Sequence, residues 1–274
     1  MKAYAMNGAG NAFIVIDARG RGEGLSLTHS QVAALHQYHP FDQIMGIEDH
    51  GVADAALRVW NADGGEVGAC GNGTRAAAWL VFQDDARRRL TFATGGGALG
   101  ACQLESGAVE VDLGQPRLGW QDIPLARVMD TIRLDYAIAL PGGGQLSGPG
   151  AVSMGNPHAV FFVEDVAALP LAEIGPRIEH DPLFPERVNA GFAHVIDRKT
   201  IRLKVWERGA GLTLACGTGA CAALVAAHRR GLTGREAVII ADGGELPVRW
   251  GSDGHVHLSG PVEMEGELDL DGLV

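Results

Sequence analysis

Residues 58–75 read RVWNADGGEVGACGNGTR, and residues 204–221 read KVWERGAGLTLACGTGAC. Set one on the other without a gap, Trp60 and Trp206 each precede a cysteine by ten residues. Each cysteine, Cys70 or Cys216, then opens a Cys-Gly-x-Gly run. Further out, Gly10-Asn11-Ala12-Phe13 followed by IVID matches Gly155-Asn156-Pro157-His158 followed by AVFFVED. Between these, Phe41-Asp42-Gln43 leading to Ile47-Glu48-Asp49 parallels Val188-Asn189-Ala190 leading to Val195-Ile196-Asp197. Three ordered matches at an offset near 146 mark an internal duplication, and a unit that long implies two domains and not a solenoid.

Short runs rich in Val, Ile, Phe and Trp, bounded by Gly, Asn or Asp, read as strands over 12–17, 55–60, 159–163, 193–196 and 201–206. Residues 71–83 and 217–230 read as helices that are apolar over most of their circumference (AAAWLVF; ACAALVAAH), so each is expected at the centre of its domain. The fold class is therefore α+β: two pseudo-symmetric domains, each a curled, mostly antiparallel sheet around one buried helix, with the active site in the interdomain cleft. The boundary is expected near 115–120, after the strand-like 108–113. The N-terminal domain is then 1–117, completed by a last strand at 267–270 within 264–274, and the C-terminal domain is 118–263.

With 46% apolar residues, each half has enough hydrophobic material for its own core. A net charge of −11 argues against nucleic acid or an anionic membrane as partner. The start MKAYAMNGAGNAF has one Lys and no apolar h-region, so no secretory signal is expected, and no apolar run reaches a membrane span. The expected compartment is the cytosol, where the four cysteines, Cys70, Cys102, Cys216 and Cys221, are thiols.

Each repeat places Cys and then Gly-x-Gly at the start of a buried helix. The first N–H groups of a helix lack internal partners and carry the positive end of the macrodipole. They stabilise a nearby anion, either a thiolate or a substrate carboxylate, and the glycines allow close approach. On this ground the thiolate is favoured at both cysteines. Two thiols on opposite sides of one cleft are what inversion at an α-carbon requires: one base removes a proton from one face and an acid returns it to the other. Helix N-termini aimed at the α-carboxylate stabilise the carbanion, with no metal or cofactor needed. Cys102 and Cys221 read as small core hydrophobes. No CxxC is present, and His36 and His39 have no partner pattern, so no zinc site is expected. Gly8-x-Gly10 precedes a strand, whereas a dinucleotide fingerprint follows one.

At these residues the chain resembles the diaminopimelate epimerase family. The carrying segments are GAGNAFIVID (8–17), FDQ (41–43), NADGGEVGACGNGTR (61–75), GNPHAV (155–160), FPERVN (184–189) and ERGAGLTLACGTGACAA (207–223). The resemblance implies interconversion of LL-2,6-diaminopimelate and its meso form without pyridoxal phosphate, in lysine and peptidoglycan precursor synthesis. It also implies a cytoplasmic homodimer whose domains close on the substrate. Carried over by position, Cys70 and Cys216 are the catalytic pair, and Gly71-Asn72 and Gly217-Thr218 hold the reacting α-carboxylate. Asn11, Gln43, Asn61, Asn156, Asn189 and Arg208 bind substrate, with Glu207 beside Arg208, and His158 and Glu207 bias the thiols' protonation. Arg208 suits a distal carboxylate because its planar fork matches that geometry. Two positions depart from the family pattern: Ala12 stands where Asp is common, and Leu212 where Glu is common.

The nearest rival is another cofactor-free isomerase of this fold, such as a proline racemase or a phenazine-pathway type. A monocarboxylate substrate has no use for Arg208 and the asparagine set. A thiol hydrolase needs one Cys with a His base and leaves the second cysteine unexplained. A non-enzymatic amino-acid-binding module would keep its ligand affinity after Cys→Ala.

Overall fold

The computed structural model describes residues 2–68, 70–84 and 86–274; Ala69, just before the first repeated cysteine, lies outside them. The chain separates into two compact units, Met1–Asp112 with Ser259–Val274, and Leu113–Leu258. The first contains β1 (Lys2–Gly8), β2 (Asn11–Asp17), α1 (His29–Tyr38), β3 (Gln43–Glu48), β4 (Ala55–Asn61), β5 (Glu66–Val67), α2 (Gly71–Asp84), β6 (Arg89–Thr94), β7 (Gly97–Gln103) and β8 (Val109–Asp112). The second has a small hairpin, β9 (Ala137–Ala139) and β10 (Gln145–Ser147), and then repeats the plan. Its strands and helices are β11 (Gly150–Ser153), β12 (Pro157–Phe162), α3 (Leu171–Glu179), β13 (Asn189–Asp197), β14 (Thr200–Glu207), β15 (Gly211–Thr213), α4 (Gly217–Arg229), β16 (Glu236–Ala241) and β17 (Gly244–Trp250), and β18 (Val256–Gly260) begins in it and ends in the first unit. The last strand, β19 (Glu263–Leu268), pairs antiparallel with β1 and starts four residues before the expected 267–270 run.

In the first unit β2–β3 and β4–β6 are parallel and the other pairs antiparallel; in the second, β12–β13 and β14–β16 take the same role. Parallel neighbours need a crossover, and the four helices supply them: α1 and α3 for the first pair, α2 and α4 for the second. Register makes the repeat concrete. Phe13 lies opposite Gln43, and Gln43 opposite Asn61. Likewise His158 lies opposite Asn189, and Ala190 opposite Trp206. Gln43 is thus the counterpart of Asn189, whereas the sequence alignment sets Asp42 there. The second unit carries one more residue between its Gly-Asn turn and its parallel strand, which shifts the match by one. Because side chains alternate faces along a strand, that single residue decides which member of the pair faces the site. The same strand, β13, begins at Asn189 and not at Ala193.

The two central helices are buried on nearly every face. α2 packs on β1, β2 and β3 and also on β7 and β8, so the sheet curls around it; α4 packs on β11 to β14, β16 and β17. Small residues let the sheet come this close. A Cβ on Gly73 would stand 2.1 Å from Met45 Cε, and one on Gly219 would meet Val205 Cγ2 at 3.0 Å. The opposite sheet faces are covered by α1, through Val32 and Leu35 against Ile14, Ile16 and Trp60, and by α3, through Ile174 and Ile178. Neither outer helix is among the sequence expectations, although Thr28 and Gln31 form a capping box and Leu171, Ile174 and Ile178 recur at helical spacing. α1 offers only two buried side chains, and α3 contains Gly175-Pro176, which read as breakers. Among the described residues no helix is long and apolar enough to cross a membrane.

Candidate active site

In the first unit Cys70 immediately precedes α2 and is partly buried. The backbone N–H of Gly73 donates to its sulfur at 3.4 Å, so the thiol receives one of the unpartnered donors of the helix start. The Gly-Asn turn before β2 requires two left-handed residues, Ala9 (φ 55°) and Gly10 (φ 82°). Asn11 is then tied to the helix start: Asn72 Nδ2 donates to Asn11 Oδ1 at 2.7 Å, and Arg75 Nη1 donates to Asn72 Oδ1 at 2.8 Å. Gln43 and Asn61, opposite one another in register, are joined by Gln43 Nε2 donating to Asn61 Oδ1 at 2.8 Å.

The second unit repeats these connections with different side chains. Cys216 is the N-cap residue of α4 and is 6% exposed. Asn156 Nδ2 donates to Thr218 Oγ1 at 3.2 Å, the counterpart of the Asn72–Asn11 bond. Arg208 N donates to Asn189 Oδ1 at 2.8 Å, and Arg208 Nη1 to the Glu186 carbonyl at 2.9 Å. Thr213 Oγ1 donates to Glu207 Oε1 at 2.6 Å. Thus the predicted residues Asn11, Gln43, Asn61, Cys70, Gly71 and Asn72 belong to the first unit, and Asn156, His158, Asn189, Glu207, Arg208, Cys216, Gly217 and Thr218 to the second.

The Cys216 thiol departs from the sequence expectation of an anion. Burial pushes its pKa well above the ordinary range, and the Glu207 carboxylate adds to this by its charge and by accepting the thiol's hydrogen bond; Thr218 and the Gly219 amide only partly offset it. The helix start alone does not set the protonation state once the sulfur is desolvated beside a carboxylate.

His158 is 1% exposed. Asn156 gives its amide nitrogen to Thr218, so its carbonyl faces His158 Nε2 at 3.0 Å, and Asn189 Nδ2 lies 3.5 Å from the same ring nitrogen. Nδ1 is buried with no hydrogen-bond partner among the described residues. Burial first, and then the Arg208 cation, push its pKa down to about 3, so the ring is neutral. This has a consequence for acid stability. Below about pH 6.5 the unfolded chain binds a proton at His158 that the folded chain does not. The stabilisation is whole above that pH and is lost as pH falls toward 3. Urea unfolding followed from pH 7 to 4 is expected to show a flatter acid limb for His158→Gln than for the parent; parallel curves would overturn the assignment.

Four residues were missed by sequence reasoning. Asp42 Oδ2 accepts from the Ala12 amide at 2.9 Å and from Asn11 Nδ2 at 3.4 Å, fixing the Asn11 turn. A carboxylate thus stands at Ala12 although Ala12 brings none. Arg75 is fully buried and holds Asn72; a lone Arg within an otherwise apolar helix was the available signal. Its counterpart in the repeat is Cys221, also fully buried, in keeping with the core reading. Thr213 and Glu179 complete the set, and nothing in their local sequence marks them. Cys102 is partly exposed on β7, which corrects its reading as a core residue. Leu212 is 47% exposed on β15. A surface groove of about 940 Å³ between Arg133, Phe162 and Arg230 includes none of the site residues. Among the described residues no three His, Cys, Asp or Glu side chains are grouped to hold a metal ion.

The fold is shared with solved structures of low sequence identity. A phenazine biosynthesis protein of the PhzF family from Bacillus anthracis matches with a TM-score of 0.68 at 14% identity, over 98% of both chains. A hydroxyproline epimerase from Agrobacterium vitis matches at 0.64 and 15%, over 98% of this chain and 91% of that one. Sequence is more specific. The diaminopimelate epimerase family model matches residues 3–119 and 150–265. The chain is 52% identical to the diaminopimelate epimerase of Acidiphilium cryptum, over 96% of this chain and 95% of the relative. It is 51% identical to that of Phenylobacterium zucineum, over 96% of both. The chain belongs to the diaminopimelate epimerase family.

Proposed function

We propose that this chain is an isomerase that interconverts LL-2,6-diaminopimelate and meso-2,6-diaminopimelate, with Cys70 and Cys216 as its acid/base pair. The observation that carries the reading is the duplicated helix start: in a chain of this family, each unit sets a cysteine sulfur against the third amide of its central helix. A thiolate takes the α-proton, and the electron pair of that C–H bond stays on the α-carbon. The other thiol gives its proton to the opposite face and becomes the thiolate, so the pair exchanges roles at each turnover. Burial and Glu207 keep Cys216 protonated, which suits it to the acid role first, with Cys70 as base. The amides at Gly71-Asn72 and Gly217-Thr218 hold the α-carboxylate and stabilise the carbanion.

Arg208 binds the distal carboxylate, with Asn11, Gln43, Asn61, Asn72, Asn156 and Asn189 completing a polar lining, and His158 and Glu207 bias the thiols' protonation. Such a site rejects amino acids lacking the second end, because polar groups that the second end would cover and pair would go unpaired. The chemistry needs no pyridoxal phosphate, and the two units act as the two epimerase domains of a cytoplasmic homodimer in lysine and peptidoglycan precursor synthesis. In D2O each product isomer is expected to carry solvent deuterium at the inverted carbon, read by mass spectrometry on LL-diaminopimelate with proline as control. Retention of the original proton would mean one shared base, and turnover of proline alone would move the assignment to a racemase of the same fold.

A further inference from the structure

Glu179, the last residue of α3, is 3% exposed, and its carboxylate reaches around the predicted pair Glu207-Arg208. Oε2 accepts from Trp206 Nε1 at 2.8 Å, the residue before the pair. Oε1 accepts from the Gly209 backbone N–H at 2.9 Å, the residue after it. Arg187 Nη1 lies 3.7 Å from the same oxygen, and His180 Nε2 lies 3.9 Å from it at the exposed side. Arg187 holds a left-handed backbone (φ 62°) directly after Glu186, whose carbonyl receives the Arg208 guanidinium. The indole is in turn fixed from α3, where a Cβ on Gly175 would stand 2.4 Å from Trp206 Cδ2.

Between β14 and β15, where Glu207 pairs with Gly211, residues 208–210 form the hairpin loop. A loop with an exposed arginine and a left-handed glycine (Gly209, φ 78°) has little of its own to set the arginine's position. The helix of the other unit at this place, α1, reads HSQVAALHQY and contains no carboxylate, and that unit has Asn61-Ala62 where this one has Glu207-Arg208. The carboxylate occurs only where there is an arginine to aim. We infer that Glu179 is a positioning residue: by clamping Trp206 and Gly209 it presets Arg208 for the distal carboxylate of the substrate. This rests on the proposed role of Arg208 and adds to it the group that holds the loop.

Two readouts separate the clamp from that role. Glu179→Gln can offer one acceptor but must turn an amide N–H toward the other donor, so one arm of the clamp opens. Steady-state kinetics on LL-diaminopimelate are expected to show KM raised about tenfold with kcat within about threefold, the pattern of lost uniform binding. Adding Trp206→Phe removes the donor that the new amide opposes, so Glu179→Gln/Trp206→Phe is expected to recover most of the KM loss. Should Glu179→Gln fail to fold, Trp206→Phe alone opens one arm, with a KM rise of about threefold expected. The second readout needs no substrate. The Gly209 N–H held by Glu179 belongs to the Arg208–Gly209 peptide bond, which trypsin cleaves. Release of fragment 1–208 from the native protein is expected to be about tenfold faster in Glu179→Gln. A folded variant with unchanged KM and unchanged cleavage overturns the clamp, as does a lowered Tm with both readouts unmoved. Faster cleavage with unchanged KM keeps the clamp and removes Arg208 from substrate binding.

Discussion

Cys70→Ala and Cys216→Ala are each expected to reduce epimerisation by about 10²- to 10⁴-fold or more, the range of a positioned acid or base. The two losses should not multiply, because a pair that must hand over and return one proton fails when either member is missing. Fold is not the reason to expect the loss. Cys216 is small and packed, so alanine there leaves a void of one sulfur, and the α4 core of Ala220, Ala222, Ala223, Leu224 and Val225 is untouched. Unfolding measured alongside activity should therefore move by only about 1 kcal/mol. Cys216→Ala also removes the group whose folded pKa is raised. In the parent, its contribution is whole below the unfolded thiol range near pH 9 and falls as pH rises beyond it. That alkaline decline should be absent in the variant. Near-normal turnover in either single variant would end the two-base model.

The second large effect is expected at Arg208. Arg208→Met should raise KM for diaminopimelate by about a hundredfold while kcat changes far less, because a distal carboxylate is held equally in ground and transition states. Arg208→Lys should recover only part of this, since a point charge lacks the two-pronged geometry. The loop backbone gives reason to expect a clean result: Arg208 N is bound to Asn189 and Gly209 N to Glu179, and neither bond involves the side chain being replaced. Losing the guanidinium also removes a positive charge that holds the His158 pKa down. A KM within about threefold of the parent would withdraw Arg208 from recognition of the second carboxylate and favour a substrate with one.

Much of the fold was legible because the chain states it twice. The Trp-to-Cys spacing and the two apolar helices at 71–83 and 217–230 located α2 and α4 to within a residue at either end. Strands were found both where successive residues are buried, as in β2, and where burial alternates along the strand, as in β14. The outer helices were not, since α1 buries little and α3 keeps Gly175-Pro176 under tertiary packing against Trp206. Propensity is a weak prior where a neighbouring indole requires a missing side chain.

The sequence by itself determined the duplication, the paired cysteines at helix starts and the polar residues around them, because those follow from residue order and local chemistry. Only the tertiary structure decided the register that makes Gln43 the repeat counterpart of Asn189, the burial that lowers the His158 pKa and raises that of Cys216, and the partners Asp42, Arg75 and Glu179. Each of these depends on burial, or on a contact between residues far apart in the chain. A thiol's pKa is set by the water it loses and the carboxylate it gains, and neither is written beside it in the sequence.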